Sequence, residues 1–514
     1  MSAQAPRSLR PEHPIARSLS GLASDFELES LGSLDNIEVS GVTISSEDVQ
    51  PGDLYVGVKG RFAHGARFAT AARDSGAVAV LTDCEGAELA AESGLPVLIT
   101  DDPRAALGDV AAWVYRTTEH PPVLFAVTGT NGKTSVVYLL DGILRQLGVV
   151  TGLTSTAERR IGDVSIPSRL TTPEASEMHG MLARMREAEV RAVSIEVSAQ
   201  ALSRHRVDGL VFDVAGFINL SHDHLDDYAD MEEYFRAKAA LFDPDRARRG
   251  VVSLDSEWGV RVVEESRIPV VTISSTPGVD ADWTVRVLAE EADYTEFELR
   301  GPDGRGLVTR VPVLGWFMAA NSALAIVMLV ESGYDLGAIE HVLERDGGID
   351  AFIPGRAERV SGATGPAFYV DYGHTPDAFE QTLLAVRKIT TGRVFMVFGA
   401  DGDRDTTKRA DMGRIAAVNS DVVVVTDYHP RYEDPAEIRR TLIEAATAAV
   451  PDREIYEIPD PRTAVRKAVS LAREGDAILV AGPGHEDYHE VAGVKIPYSA
   501  RNDAREALRE AGWE

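Results

Sequence analysis

The sequence predicts three α/β domains in series. At 514 residues the chain has the length of about three ordinary domains. Short β-branched runs recur along it between turns and segments of helical periodicity, as in parallel sheets covered by helices. Several of these runs lead into polar, turn-forming loops, which places a ligand edge at the carboxyl ends of the strands.

Composition narrows the function. Apolar residues make up 44% and charged residues 26%, as in ordinary globular domains. Basic residues number 52 and acidic ones 81, a formal charge of −29. That charge argues against non-specific binding to nucleic acid or an anionic membrane. It leaves room for an anionic small ligand, since a few local donors outweigh a distant field. Cys84 is the only cysteine, which excludes an intrachain disulfide and a cysteine-rich zinc site and fits a reducing cytoplasm. It reads as a small apolar residue. The polar N-terminus lacks the apolar core of a signal peptide, and no apolar run approaches the length of a membrane span.

Residues 1–35 read as a loose lead-in containing proline and serine. The first domain spans residues 36–120. In it the turn Pro51-Gly52-Asp53 precedes a strand at Leu54–Val58, followed by a short helix at Phe68–Arg73 and a strand at Ala77–Leu81. Pro121-Pro122 marks the boundary to a second domain, residues 121–354. Its first strand, Val123–Val127, leads through a glycine-bearing loop into a helix. Val136, Leu139, Leu140, Ile143, Leu144 and Leu147 lie on one face of that helix. Further strands are expected at Ala192–Val197 and Val211–Asn219. The third domain, residues 355–514, repeats one pattern three times. Strands at Arg393–Phe398, Val422–Val425 and Ala477–Val480 run into the loops Gly399–Arg404, Thr426–Arg431 and Ala481–Glu486.

The strongest local signal is Val127-Thr128-Gly129-Thr130-Asn131-Gly132-Lys133-Thr134-Ser135. Its glycines let several backbone N–H groups face one anion, and the following helix adds its positive end. Lys133 supplies a point charge for the outer phosphates and the Thr134 hydroxyl is placed for Mg²⁺. A strict phosphate-loop pattern needs glycine at position 127, where this chain has valine; the strand–loop–helix context is nevertheless what the motif requires.

Thr-Gly-Thr-Asn-Gly-Lys-Thr resembles the ATP loop of the Mur ligases, and the folylpolyglutamate synthetases carry a similar loop. The motifs C-terminal to this loop resemble those of the MurE type, the ligases that add the third residue to UDP-N-acetylmuramoyl-L-alanyl-D-glutamate. The likeness runs from about residue 40 to residue 511. It implies an N-terminal uridine-binding module, a central ATPase-like domain and a Rossmann-like C-terminal domain. It also implies an ATP-dependent amide ligase of cytoplasmic peptidoglycan precursor synthesis, working through an acyl phosphate and expected to act as a monomer. The alternatives are a folyl- or polyglutamate-type ligase and a non-catalytic nucleotide-binding regulator. The first predicts no module at residues 36–119; the second predicts loss of Lys133, Glu196, His224 or Lys238, and all four are present.

The resemblance further assigns residues. ATP would be held by Thr128, Gly129, Thr130, Asn131, Gly132, Lys133, Thr134 and Ser135, with Asn321 on the adenine side. Arg356 would reach in from the third domain, and Asp371, in Asp371-Tyr372-Gly373-His374-Thr375-Pro376-Asp377, suits a ribose hydroxyl. Thr134, Glu196, His224 and Lys238 would serve Mg²⁺. Lys238 as an ammonium would repel the ion; the family implies that CO₂ carbamylates it, giving a carboxylate-like ligand. The UDP-muramoyl dipeptide would meet Ile44, Ser46, Thr171, Thr172, Ser198, Arg204 and Arg206, and the polar loop Arg61-Phe62-Ala63-His64-Gly65 lies in register. The incoming diamino acid would meet Arg409, Tyr428, His429, Pro430, Arg431, Gly482 and Glu486. The family's D-N-P-R motif for meso-diaminopimelate is Tyr428-His429-Pro430-Arg431 here. Arg431 could clamp a distal carboxylate, while the altered wall leaves lysine, ornithine and diaminobutyrate open.

Overall fold

The computed structural model describes residues 9–60 and 62–513. The first eight residues of the expected lead-in, Arg61 of the polar loop and the last residue lie outside them. Among the described residues, three mixed sheets of five, eleven and six strands succeed one another along the chain, with two short two-stranded ribbons beside them.

The five-stranded sheet runs in the order Glu29–Leu31, Val97–Ile99, Ala79–Thr82, Asp53–Gly57, Gly41–Thr43. All neighbours are parallel except the first pair. Asp53–Gly57 is buried throughout, because helices cover both faces and each face must be apolar. The helix Pro103–Tyr115 brings Leu107 and Val110 onto Leu54 and Val56, and Ala66, Ala69 and Ala72 cover Tyr55 and Val80 on the other side. The expected helix at Phe68–Arg73 begins one residue later, after a 3₁₀ turn at Gly65–Phe68.

Residues 17–31 are not a loose lead-in. Arg17–Ser18 pairs with Glu38–Val39, and Ser18 caps the helix Leu19–Asp25, whose Leu19 and Leu22 enter the first domain's core. Glu29–Leu31 then adds the antiparallel edge strand. The elements are too short for periodicity to reveal them; their partners, distant in sequence, fix them. Arg10 also reaches this domain, donating to buried Asp53 at 2.7 Å.

The eleven-stranded sheet is built on parallel strands in the order Thr151–Thr154, Ala192–Glu196, Val123–Thr128, Val214–Phe217, Gly250–Ser253, Val270–Ser274 and Trp283–Glu290. Antiparallel strands extend both edges. The helix Lys133–Gln146 buries Val136, Val137, Leu139, Leu140, Ile143 and Leu144. It is apolar beyond one stripe because it lies between this sheet and the apolar helix Trp316–Glu331.

In the third domain the order is Glu358–Arg359, Ala367–Asp371, Ala477–Ala481, Val394–Phe398, Val422–Val425, Glu454–Glu457. Ala477–Ala481, Val394–Phe398 and Val422–Val425 are adjacent and parallel, so their three polar loops leave the sheet side by side. The Ala367–Asp371 strand points its end the same way.

His179, on the helix Ala175–Glu187, is fully buried. Its Nδ1 accepts from Thr117 Oγ1 at 2.6 Å and its Nε2 donates to the Asp208 carbonyl at 3.0 Å, so the ring sits neutral. Burial pushes its pKa down to about 4. The unfolded chain therefore takes up this proton at higher pH than the folded one. The neutral ring's contribution is whole above about pH 6.5 and is lost as pH falls toward 4, about 3 kcal/mol in all. Denaturant unfolding of the protein and of His179→Gln across pH 4–7 should show this slope shrinking in the variant.

Candidate active site

The loop after Val123–Thr128 is shaped by its neighbours as well as its glycines. Gly132 caps the helix Lys133–Gln146 with φ +88°, a conformation that favours glycine. A Cβ there would also come within 3.1 Å of the Asn321 amide. Asn219 Oδ1 accepts the backbone N–H of both Thr130 and Asn131, at 3.1 and 3.0 Å. Asn131 Nδ2 donates to Asp377 Oδ2 at 3.0 Å, tying the loop to the third domain.

One hydroxyl joins three elements. Thr134 Oγ1 donates to Glu196 Oε2 at 2.9 Å and accepts from Arg356 Nη2 at 2.9 Å. The Glu196 carboxylate also accepts from Thr156 N at 2.9 Å and Thr156 Oγ1 at 3.1 Å. Arg356 lies over the Tyr372 ring, 4.4 Å from its centre, a contact that suits a planar guanidinium.

Two lysines converge on one carbonyl. Lys133 Nζ donates to the Gly129 and Thr130 carbonyls at 3.0 and 2.8 Å, and Lys238 Nζ donates to Gly129 O at 2.7 Å. Burial lowers the pKa of both, and the charge of Lys133 lowers Lys238 further, to well below the lysine range. Lys238 lies over the Tyr234 ring at 4.6 Å and is 1% exposed. His224, at φ +58°, is held neutral by burial and by both lysines, with its pKa down to about 4.

A cavity of about 630 Å³ opens over this loop between the second and third domains. Among its lining residues are Thr130–Ser135, Thr171, Glu196, Ser198, Arg204, Arg206, His224, Asn321, Arg356, Asp371, Tyr428, His429, Arg431 and Glu486. Most expected site residues thus come together. Thr128, Gly129, Lys238 and Thr172 stand just behind the wall. Thr172 Oγ1 accepts from Ser198 N and donates to the Glu196 carbonyl. Asp371 is turned to the backbone, accepting from Ala357 N and Gly373 N at 2.7 Å each. Arg206 pairs with Glu174 at 3.1 Å, and Arg204 with Asp227 at 3.0 Å. Ile44 and Ser46 follow the strand Gly41–Thr43 of the first domain and do not line this cavity.

The expected amino-acid residues divide. Tyr428, His429, Arg431 and Glu486 line the cavity; Arg409, Pro430 and Gly482 do not. Arg409 is gripped by both oxygens of Glu433 at 2.9 and 3.0 Å. The Pro430 carbonyl lies so close to Gly402 that a Cβ there would meet it at 2.0 Å. Gly482 N donates to Asp371 O at 3.0 Å. His429 and Arg431 adopt left-handed backbone, φ +41° and +49°, a strain of about 1–3 kcal/mol each that the surrounding contacts hold in place.

Sequence reading missed several residues that build the site. Thr156 holds Glu196, Asn219 orients the phosphate loop, Glu433 holds Arg409, and the ribbon Tyr488–Val491/Val494–Pro497 brings Tyr488 and Glu490 into the wall. Ala492-Gly493 between two apolar runs was the one local hint of that ribbon. Lys408, missed too, donates to Asp223 Oδ1 at 2.9 Å across the domain junction, both side chains buried.

Three sheets, a glycine loop under a helix N-terminus, and an arginine reaching that loop from the next domain define the class: an ATP-dependent ligase. Three family models match successive stretches. They are "Mur ligase family, catalytic domain" at residues 38–115, "Mur ligase middle domain" at 127–329 and "Mur ligase, glutamate ligase domain" at 355–484. A UDP-N-acetylmuramyl-tripeptide synthetase of Leifsonia xyli subsp. xyli is 67% identical over the whole of both chains. A UDP-N-acetylmuramoyl-L-alanyl-D-glutamate–2,6-diaminopimelate ligase of Streptomyces avermitilis is 44% identical over 98% of each. A solved structure of a ligase of that same diaminopimelate description superposes with TM-score 0.66 at 25% identity, covering 98% of this chain and 100% of the other. The chain belongs to the Mur ligase family. No helix among its described residues is long and apolar enough to cross a membrane.

Removing one member of a buried ion pair strands the other charge, at about 3–5 kcal/mol. Lys408→Ala is therefore expected to loosen the contact of the second and third domains. Small-angle scattering should then report a larger radius of gyration, while the secondary structure is kept.

Proposed function

We propose that this chain joins the free carboxyl of a UDP-N-acetylmuramoyl-L-Ala-D-Glu dipeptide to an amine of a diamino acid at the expense of ATP, adding the third residue of the peptidoglycan stem peptide in the cytoplasm. One observation carries the reading: the phosphate loop, Arg356 and the third-domain loops open on a single cavity, in a chain 67% identical to a tripeptide synthetase. In this reading residues 36–120, 121–354 and 355–514 are the uridine, ATP and amino-acid domains, residues 17–31 belong with the first, and the chain acts as a monomer.

In the first step a carboxylate oxygen of the dipeptide attacks the γ-phosphorus, and the bond to the bridging oxygen breaks, releasing ADP and leaving an acyl phosphate. The backbone N–H groups of Gly132, Lys133 and Thr134 at the helix start would face the phosphates, while those of Thr130 and Asn131 stay with Asn219; Lys133 moves from its carbonyl partners onto the oxygens that gain charge. Arg356, already beside Thr134, adds a guanidinium charge from the third domain to the ammonium of Lys133. In the second step the amine attacks the acyl carbon, phosphate departs with one oxygen of the former carboxylate, and the amine loses a proton. In this reading Asn321 would serve the adenosine, with Asp371 holding the backbone beside it; Ile44 and Ser46 would serve the uridine end, and Thr171, Ser198, Arg204 and Arg206 the dipeptide, with Thr172 behind them. Tyr428, His429, Arg431 and Glu486 would form the amino-acid end, with Arg409, Pro430 and Gly482 behind it.

The residues present also fit Mg²⁺. The Glu196 carboxylate and the Thr134 hydroxyl face the cavity beside the phosphate loop, oxygen donors of the kind that suit an ion that keeps waters and shares phosphate oxygens. The Lys238 amine, pushed toward its neutral form, is in the state that takes up CO₂. As a carbamate it would join Glu196, His224 and the Thr134 hydroxyl in holding the ion. Bound Mg²⁺ would neutralise phosphate charge during transfer.

Dipeptide labelled with ¹⁸O in its acid terminus should pass one label into orthophosphate; unlabelled orthophosphate would defeat the acyl-phosphate route. Lys133→Ala should lower kcat by about 100- to 1,000-fold, as for loss of one donor to developing charge. Lys238→Ala should be inactive and partly rescued by a short carboxylic acid; full activity in the plain alanine variant would exclude the carbamate.

A further inference from the structure

The cavity wall farthest along the third-domain loops carries three carboxylates, Asp401, Glu486 and Glu490. The guanidinium among them is already divided. Arg431 Nη2 lies 3.2 Å from Asp401 Oδ1, its Nε 3.7 Å from Glu490 Oε2, and its Nη1 donates to the Gly402 carbonyl at 2.7 Å. Arg409 is engaged by both oxygens of Glu433 behind the wall.

His429 adds no compensating charge. Its Nδ1 accepts from Glu490 N at 2.8 Å, so that nitrogen carries no proton, and its Nε2 donates to Glu486 Oε2 at 2.7 Å. The ring is thereby fixed as one neutral tautomer. Glu486 also accepts from the Tyr428 hydroxyl at 2.9 Å and the Tyr372 hydroxyl at 3.4 Å. Although burial pushes its pKa up, the hydrogen bonds from His429 and Tyr428, helped by the proximity of the His429 and His485 rings, hold it below the usual glutamate range. Neutral donors keep a carboxylate ionised without cancelling its charge, so the charge of Glu486 remains for a ligand.

We infer that this wall selects a diamino acid whose far end is a bare ammonium and rejects one whose far end also bears a carboxylate, with Glu486 and Glu490 as the specificity-determining residues. The inference rests on the ligase reading above and names its third substrate more narrowly. A distal carboxylate would enter among three like charges, facing a guanidinium that would have to leave its partners. A distal ammonium finds Glu486 uncompensated. The α-carboxylate common to all amino acids is served by Arg404, which lines the same cavity and has no protein partner among the described residues.

The test uses the full-length enzyme with ATP, Mg²⁺ and the UDP-muramoyl dipeptide. L-lysine, L-ornithine, L-2,4-diaminobutyrate and meso-2,6-diaminopimelate are compared by ADP release and product mass. The best ammonium-ended substrate should exceed meso-diaminopimelate in kcat/KM by about 100-fold or more, as expected when a charged group is left opposed. Glu486→Gln should narrow that ratio, chiefly by raising KM for the ammonium-ended substrate. Glu490→Gln, on the partly exposed ribbon, should narrow it independently by releasing Arg431. Equal or better use of meso-diaminopimelate, or a ratio unmoved in both variants, overturns the inference and leaves the ligase reading intact. No ADP release with any of these amino acids overturns the ligase reading and the inference with it.

Discussion

The architecture of the site turns on a single oxygen. The Thr134 hydroxyl gives its proton to Glu196 and takes one from Arg356. That one atom ties the phosphate-loop helix, the end of the neighbouring strand Ala192–Glu196 and the start of the third domain. Such a junction is specific because each partner is buried or half-buried and would lose its solvation without the others. Around it the sheet brings Val123–Thr128 and Ala192–Glu196 side by side, so the loop and its carboxylate are neighbours by topology.

Charge inside the site is managed by pairing and by neutrality. The chain is strongly acidic overall, yet Lys133 and Lys238 share the Gly129 carbonyl. Two buried ammonium groups at such proximity disfavour each other's protonation, and His224 beside them is held neutral by burial first and by the two lysines second. This cluster suits an anion with several charges, which would relieve the repulsion that the fold imposes. At the opposite end of the cavity the balance is reversed: carboxylates outnumber free cations, with Asp401 and Glu490 sharing Arg431 and hydroxyl and imidazole donors on Glu486. The two ends of one space thus differ in the sign of charge they favour.

The domain junction supplies the remaining order. Asn131 to Asp377, Lys408 to Asp223 and Arg356 to Thr134 are all contacts between residues more than 180 positions apart. They fix the phosphate loop and the third-domain loops relative to one another, which holds the groups on the two sides of the cavity in register.

The residue order alone determined the strands and the phosphate loop, because local periodicity and glycine placement act within a dozen residues. Val123–Thr128, Lys133–Gln146 and Val422–Val425 lie within a residue or two of where pattern places them, and the family motifs pick out the cavity-lining Lys133, Glu196, His224, Arg356 and Glu486. The short elements at 17–31 were hidden, since two- and three-residue strands exist only through their partners. The tertiary structure alone decided which arginine is available. Arg409 and Arg431 are both expected at the amino-acid site, the second as a carboxylate clamp, but Glu433 occupies the first, and Asp401 and Glu490 divide the second. A side chain's charge is written in the sequence; whether that charge is already neutralised depends on neighbours that only folding brings near.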